Sequence, residues 1–247
     1  MKQQPLIPIQ VLYEAPSEHG TADLKVLGRG DDGFDYAIKR TEDHAMLPIS
    51  EWIGYRLCEA VGIPTPESRA LLRENGTVAF GSRIEANYSM LDKTKVNNPV
   101  SLVQFFGAHV LAINAIYAID AFLPNDDRHG RNMMIRNNPT GDLLLAFDFS
   151  RSWLVLGSDA IYSKDWQKTL PNSSNTKQWW AALKQLIKAS AGTDTLDAIA
   201  NLPDDWLMQQ FREAPKDWLA GVPVRKCIRA WKMHRKARAI QAAQWLA

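Results

Sequence analysis

Cysteine is almost missing from this 247-residue chain, which has only Cys58 and Cys227. Two cysteines cannot build a disulfide framework, and neither stands in a CxxC or Cys/His metal spacing, so both are read as small buried hydrophobes. A long uninterrupted apolar run is also missing. The longest candidate, Leu102 to Leu123, carries Gln104, His109, Asn114 and Asp120, which makes it a buried helix and not a membrane span. The opening residues Met1-Lys2-Gln3-Gln4-Pro5 lack the apolar centre of a secretion signal. Internal repeats and low-complexity tracts are absent. These absences point to a soluble, cytoplasmic protein.

Acidic residues are missing beyond Asp217, whereas Arg225 to Arg238 holds seven Lys or Arg, at 225, 226, 229, 232, 235, 236 and 238. Removing those seven takes the formal charge from +2 to −5. A basic terminal segment of this kind can bind nucleic acid or an acidic partner. It also carries Val224, Ile228, Trp231 and Ile240 near a helical period, which favours an amphipathic helix over about 222–246, docked on the body with a solvated basic face. With 46% hydrophobic and 23% charged residues the chain is ordinary for a globular protein, long enough for one large domain or two small lobes.

The first part reads as strands at Ile7 to Tyr13, Ala22 to Leu27 and Phe34 to Arg40. A helix is expected from Ser50, its N-cap, to Val61, with Gly62 as its stop. Ile63-Pro64-Thr65-Pro66 is an extended connector, because each proline biases its predecessor away from helix. Glu67 to Arg73 and Thr77 to Arg83 form a hairpin turning at Asn75-Gly76. Beyond that the pattern is mostly helical. Ser101 is expected to cap the long helix ending near Leu123, and a hairpin joins Met133 to Ile135 with Leu143 to Phe147. Further helices are expected at Thr176 to Ala189, Thr195 to Ala200, Asp204 to Arg212 and Val222 to Leu246, with 156–175 as a mobile loop.

Between those halves lie Asn125-Asp126-Asp127-Arg128-His129-Gly130-Arg131-Asn132 and, after the hairpin, Phe147-Asp148-Phe149-Ser150. Asp, Asn and Gly collect in turns for backbone reasons alone. An Asp, an Asn five residues on and then an Asp-Phe nevertheless reproduce the order of parts in a phosphoryl-transfer site. One carboxylate takes the acceptor's proton, while the amide and the second carboxylate hold a metal on the ATP phosphates. Lys39, in Tyr36-Ala37-Ile38-Lys39, sits at a strand end from which a lysine reaches phosphates. Glu51 is placed to pair with it, and also to lie favourably near the helix dipole, the two readings being compatible.

Asp127 is therefore the candidate base, Asn132 and Asp148 the candidate Mg²⁺ ligands, and Lys39 the phosphate-neutralising cation. Asp126 is the competitor for the base, and the five-residue interval favours Asp127. Arg128 and His129 are expected to brace the loop. Arg83, Ile84 and Glu85, at the end of the first lobe, are expected to meet the adenine edge. Gly28-Arg29-Gly30-Asp31-Asp32-Gly33 formally matches GxGxxG, but its aspartates would repel phosphate, and Asp31-Asp32-Gly33 is read as a hairpin turn.

From about Thr21 to Trp153 the chain resembles the HipA-like kinases, which are similar to phosphoinositide-3-kinase-type atypical kinases in their Asp-Arg-His-x-x-Asn loop. The likeness rests on Ala37-Ile38-Lys39, Ser50 to Leu57, Gly62 to Pro66, Phe80-Gly81-Ser82-Arg83, Asp127 to Asn132 and Phe147-Asp148-Phe149. It implies an α+β, bilobal protein-kinase-like fold in a single domain over 1–247, with a β-rich N-lobe (1–85) and a mostly helical C-lobe (86–247). It implies ATP with Mg²⁺, transfer to Ser or Thr of a protein, and by analogy a toxin–antitoxin setting with a cognate partner protein. The length corresponds to the compact form, without the additional N-terminal subdomain of larger HipA toxins. Ser150 departs from the usual pattern, where Gly follows Asp-Phe. Competing functions are phosphorylation of a small molecule or lipid, and a non-catalytic ATP-binding module whose basic helix engages nucleic acid or a partner.

Overall fold

The computed structural model describes residues 7–17, 25–84, 88–90, 99–128, 132–139, 141–155 and 190–246. Strands β1 (Ile9–Pro16), β2 (Val26–Gly30), β3 (Asp35–Lys39), β4 (Ser68–Leu72) and β5 (Val78–Arg83) close into a barrel in the order β1-β2-β3-β5-β4. Neighbours are antiparallel except at the closure, where β1 meets β4 in parallel, Ile9 opposite Leu71. The β2–β3 connection is a tight turn in which Gly33 adopts φ +83° and donates to Gly30 O, so Asp31-Asp32-Gly33 is a hairpin turn as read. Asn75-Gly76 turns β4 into β5 with Gly76 at φ +78°. Alternation along β3 sends Tyr36 and Ile38 into the barrel, where they pack with Val11, Val26, Leu71 and Ala79.

Helix α1 (Leu47–Ala60) lies against this barrel. It begins three residues earlier than expected, with Pro48 in its first turn, and Ser50 is no cap. Proline suits a helix start because its missing N–H would have no helical partner there. The Ser50 hydroxyl is buried and instead donates to Phe149 O at 3.1 Å. A second sheet, β6 (Tyr88–Met90), β7 (Met133–Arg136) and β8 (Leu143–Ala146), follows in that order. β6 had no legible signal, being three residues long.

Helix α2 (Pro99–Phe122) starts at Pro99, which puts Ser101 inside the helix and not at its cap, and it bends at His109. It packs with α3 (Ser190–Ala200) and α5 (Val224–Leu246), while α4 (Trp206–Glu213) and a 3₁₀ turn at Lys216–Leu219 lie between those two in sequence. One hydrophobic core runs from Ala70 and Phe80 of the barrel through α1 and α2 to Trp231 and Leu246 of α5. No helix among the described residues is long and apolar enough to cross a membrane. The expected helix over 176–189 and the loop over 156–175 lie outside the described residues.

The basic face of α5 is less solvated than expected. Arg235 and Arg238 are buried, and Ile240, assigned to the docked face, is 61% exposed. Arg238 donates to Phe122 O at 3.0 Å and Ala121 O at 2.7 Å, so it caps the carbonyl end of α2 from another helix. Burial lowers its pKa to about 9.

Gly54 of α1 faces Phe149 so closely that an added Cβ would stand 2.4 Å from the ring. Gly54→Ala should therefore lower the melting temperature, costing roughly 1–3 kcal/mol through overpacking, despite alanine's ~1 kcal/mol better helix propensity. Gly107→Ala, in open space on α2, should leave stability unchanged or raise it. Thermal denaturation of both variants checks the contrast.

Candidate active site

At the end of β3 the backbone turns the Lys39 side chain toward α1, and the residue is 5% exposed. It stands 3.6 Å from Glu51 Oε1 and 3.3 Å from Asp148 Oδ1. The pairing of Lys39 with Glu51 is thus as expected. Because α1 starts at Leu47, Glu51 lies beyond its first turn, and the helix-dipole account of this residue falls away. Glu51 Oε2 accepts from the Phe149 N–H at 2.9 Å, so one carboxylate ties the lysine strand, α1 and the Asp148 segment together.

Asp148 follows β8 with φ +63°, the left-handed region that costs a non-glycine residue energy unless its surroundings hold it there. Its surroundings do so. The Ser150 hydroxyl donates to Asp148 Oδ1 at 2.5 Å, a contact that glycine at 150 could not make. Phe149 is fully buried, edge-on to Tyr55 at 6.0 Å and under the Arg128 guanidinium at 5.0 Å. The Ser152 hydroxyl donates to Phe149 O at 2.8 Å and meets Ser50 at 2.8 Å.

One cation between a buried carboxylate, Glu51, and a half-buried one, Asp148, splits their protonation. Burial pushes Glu51 up to about 7, Lys39 opposing it and Asp148 adding to it. Burial also acts to raise Asp148, but Lys39, Ser150 and Arg128 outweigh that and hold it down at about 2.

The loop after α2 is organised by a residue that sequence reasoning noted only as a polar interruption. Asp120 is fully buried and accepts from Arg128 Nε at 2.7 Å, Arg128 Nη2 at 3.0 Å and Asn125 Nδ2 at 2.8 Å. Arg128 Nη1 then donates to Asn132 O and Phe147 O, both at 2.5 Å. The guanidinium braces the loop, as expected of it, and also reaches the neighbour of Asp148. Burial works against its charge and Asp120 outweighs the penalty. The signal for Asp120 was an acid inside an otherwise apolar helix, eight residues before an arginine.

Asp127 is half-buried, its N–H donating to Asn125 Oδ1 at 3.3 Å and its carbonyl accepting from Asn132 Nδ2 at 2.9 Å. That bond occupies an amide proton of Asn132 and leaves its oxygen as the end suited to a cation. Asp126 pairs with Arg151 at 3.2 Å. Lys39, Glu51 and Asp148 thus form one cluster, Asp127 and Asn132 a second, and Arg128 joins the two. Arg83 and Ile84 lie at the end of β5, and their N–H groups donate to Glu67 O and Asp35 O at 2.8 Å. Glu85, His129 and the loop at 156–175 lie outside the described residues. Among the described residues no group of three or more His, Cys, Asp or Glu could hold a metal by itself.

No family model matches the chain, and no curated protein matches it in sequence. Solved structures do match. A Helicobacter pylori proinflammatory kinase, CtkA, is 15% identical, with 98% of each chain covered and a TM-score of 0.56. The Golgi casein kinase is 12% identical over 98% of this chain and 74% of that one, with a TM-score of 0.50. HipA of Shewanella oneidensis MR-1, solved with HipB and operator DNA, is 12% identical over 99% and 67%, with a TM-score of 0.48. The first two place this chain among kinase-like folds.

Arg128→Met would leave the Asp120 carboxylate buried without its cation, a loss of about 3–5 kcal/mol. Chemical denaturation should show it, with the double variant Asp120→Leu/Arg128→Met more stable than the single one. Stability should also vary with pH. Glu51, whose folded pKa is raised, contributes stability that is complete below about 4.5 and lost as pH rises through about 7. Asp148, whose pKa is depressed, contributes above about 3.8 and loses its share as pH falls toward 2. Melting temperatures of the ligand-free protein should fall between about pH 4.5 and 7, and Glu51→Gln should flatten that slope.

Proposed function

We propose that the chain is an ATP- and Mg²⁺-dependent phosphotransferase, a HipA-like Ser/Thr protein kinase with Asp127 as its general base. The observation that carries this reading is the Arg128 guanidinium, which ties the Asp127–Asn132 loop to the Phe147–Asp148 segment that meets Lys39. Four groups in the order of a phosphoryl-transfer site are thereby held in one network. Asp127 stands five residues before Asn132, the interval of a phosphoryl-transfer loop, which supports it over Asp126 as the base.

In this reading the barrel and α1 form an N-lobe that ends near residue 85, and the helices form a C-lobe. Lys39, fixed by Glu51, neutralises phosphate oxygens. Asp127 orients the acceptor hydroxyl and takes its proton. Asn132 and Asp148 would hold Mg²⁺ through the amide oxygen and a carboxylate, hard donors that fit this ion, with phosphate oxygens completing its shell. When bound, Mg²⁺ supplies the positive charge that offsets charge on the transferring group. The excess carboxylate beside Lys39 is a second feature consistent with a cation there. Since the N–H groups of Arg83 and Ile84 are engaged in sheet pairing, the adenine edge would meet their carbonyls or the chain at Glu85.

Label from γ-phosphate-labelled ATP, with Mg²⁺, should enter the protein itself or a protein of a cell extract. Asp127→Ala and Asp148→Ala should each lower it by at least ~100-fold. Absence of protein label above those variants would reject the protein-kinase reading, leaving a small-molecule or lipid acceptor or an ATP-binding module.

A further inference from the structure

Ser150 stands where glycine is usual after Asp-Phe, and the backbone gives no reason for glycine there. The left-handed conformation falls on Asp148, and Ser150 is not among the residues with positive φ. Ser150 is buried. Its hydroxyl donates to Asp148 Oδ1 at 2.5 Å and its N–H to the same oxygen at 3.4 Å. The Lys39 ammonium reaches that oxygen too, at 3.3 Å. Among the described residues no donor reaches Asp148 Oδ2. Every bond to this carboxylate therefore falls on one of its two oxygens.

We propose that Ser150 is a positioning residue that holds Asp148 to a single metal-facing oxygen and so favours Mg²⁺ over Ca²⁺. The proposal rests on the kinase reading, in which Asn132 and Asp148 hold the metal. An oxygen with two lone pairs is filled by the two Ser150 donors, which leaves Oδ2 as the metal-facing atom. Mg²⁺ demands near-ideal octahedral geometry and is satisfied by one or two carboxylates together with waters and phosphate oxygens. Ca²⁺ is larger, gathers more oxygens and readily takes both from one carboxylate. Asp148 can chelate in that way only by giving up its bonds to Ser150. Lys39 does not impose this limit, because Glu51 shares it and, in the kinase reading, phosphate draws on it as well. The Ser150 hydroxyl bonds no other group among the described residues, so its restraint persists when the site is loaded.

Isothermal titration of the full chain with a non-hydrolysable ATP analogue, in magnesium, in calcium and in metal-free buffer, tests this without reference to turnover. In the unaltered protein the analogue should bind more tightly with Mg²⁺ than with Ca²⁺. Ser150→Ala should shrink that ratio by about tenfold, the scale of losing a hydrogen-bond partner of a metal ligand, with affinity in metal-free buffer unchanged. Ser152→Ala should keep the ratio, since that hydroxyl bonds Phe149 O and not Asp148. Melting curves check the folding of each variant, and if Ser150→Ala fails to fold, Ser150→Gly decides. The proposal is overturned by equal affinity with the two metals in the unaltered protein, by an unaltered ratio in a folded Ser150 variant, or by an equal change in Ser152→Ala. The kinase reading fails differently, by no gain in affinity from either metal in the unaltered protein, and the proposal falls with it.

Discussion

A buried ion pair, Asp120 with Arg128, is the constraint from which the site's geometry follows. Both side chains are removed from water, so each is tolerable only in the other's company. Asp120 is anchored in α2, and that helix end is capped by Arg238 of α5. The loop that follows therefore inherits its position from helix packing more than from its own turn residues. Arg128 uses its Nη1 donors on carbonyls at 132 and 147, which turns a charge requirement into a spacing between two segments.

On the barrel side the corresponding element is Glu51. Its carboxylate faces the Lys39 ammonium and also receives the Phe149 N–H, so α1 cannot shift without disturbing both. Aromatic packing reinforces the arrangement. Trp218 sits edge-on to Trp52 and Phe80 at 6.2 Å each, Phe80 meets Tyr55 at 5.1 Å, and Tyr55 meets Phe149 at 6.0 Å. This chain of rings links the 3₁₀ turn late in the sequence to the residue beside Asp148. Gly54 is required in it because no side chain fits between α1 and Phe149.

The charge of α5 divides by burial. Arg225, Lys226, Arg229, Lys232 and Lys236 are exposed, whereas Arg235 and Arg238 are interior and bond to backbone carbonyls. Part of what reads as a basic surface is structural. A guanidinium has five donors and can terminate a helix whose last carbonyls would otherwise be unpaired. Composition counts charges without regard to which of them face water.

Local chemistry by itself determined the turns and the rough positions of most barrel strands, although the strand expected over Ala22 to Leu27 lies at Val26–Gly30. Asn75-Gly76 and Asp31-Asp32-Gly33 bend the chain because glycine accepts positive φ, and the proposed function takes up Lys39, Asp127, Asn132 and Asp148 because a phosphoryl-transfer site calls for those residue types in that order. Helix starts were read less well, since Ser50 and Ser101 resemble caps while the helices begin at Leu47 and Pro99. Only the tertiary structure decided that Ser50 serves Phe149, that β6 exists, that Asp120 is the anchor of Arg128, and that Asp148 takes a left-handed conformation. Each of these depends on a partner distant along the chain. The free energy of burying a charge or an orphaned hydroxyl is settled by what packs against it, which residue spacing does not encode.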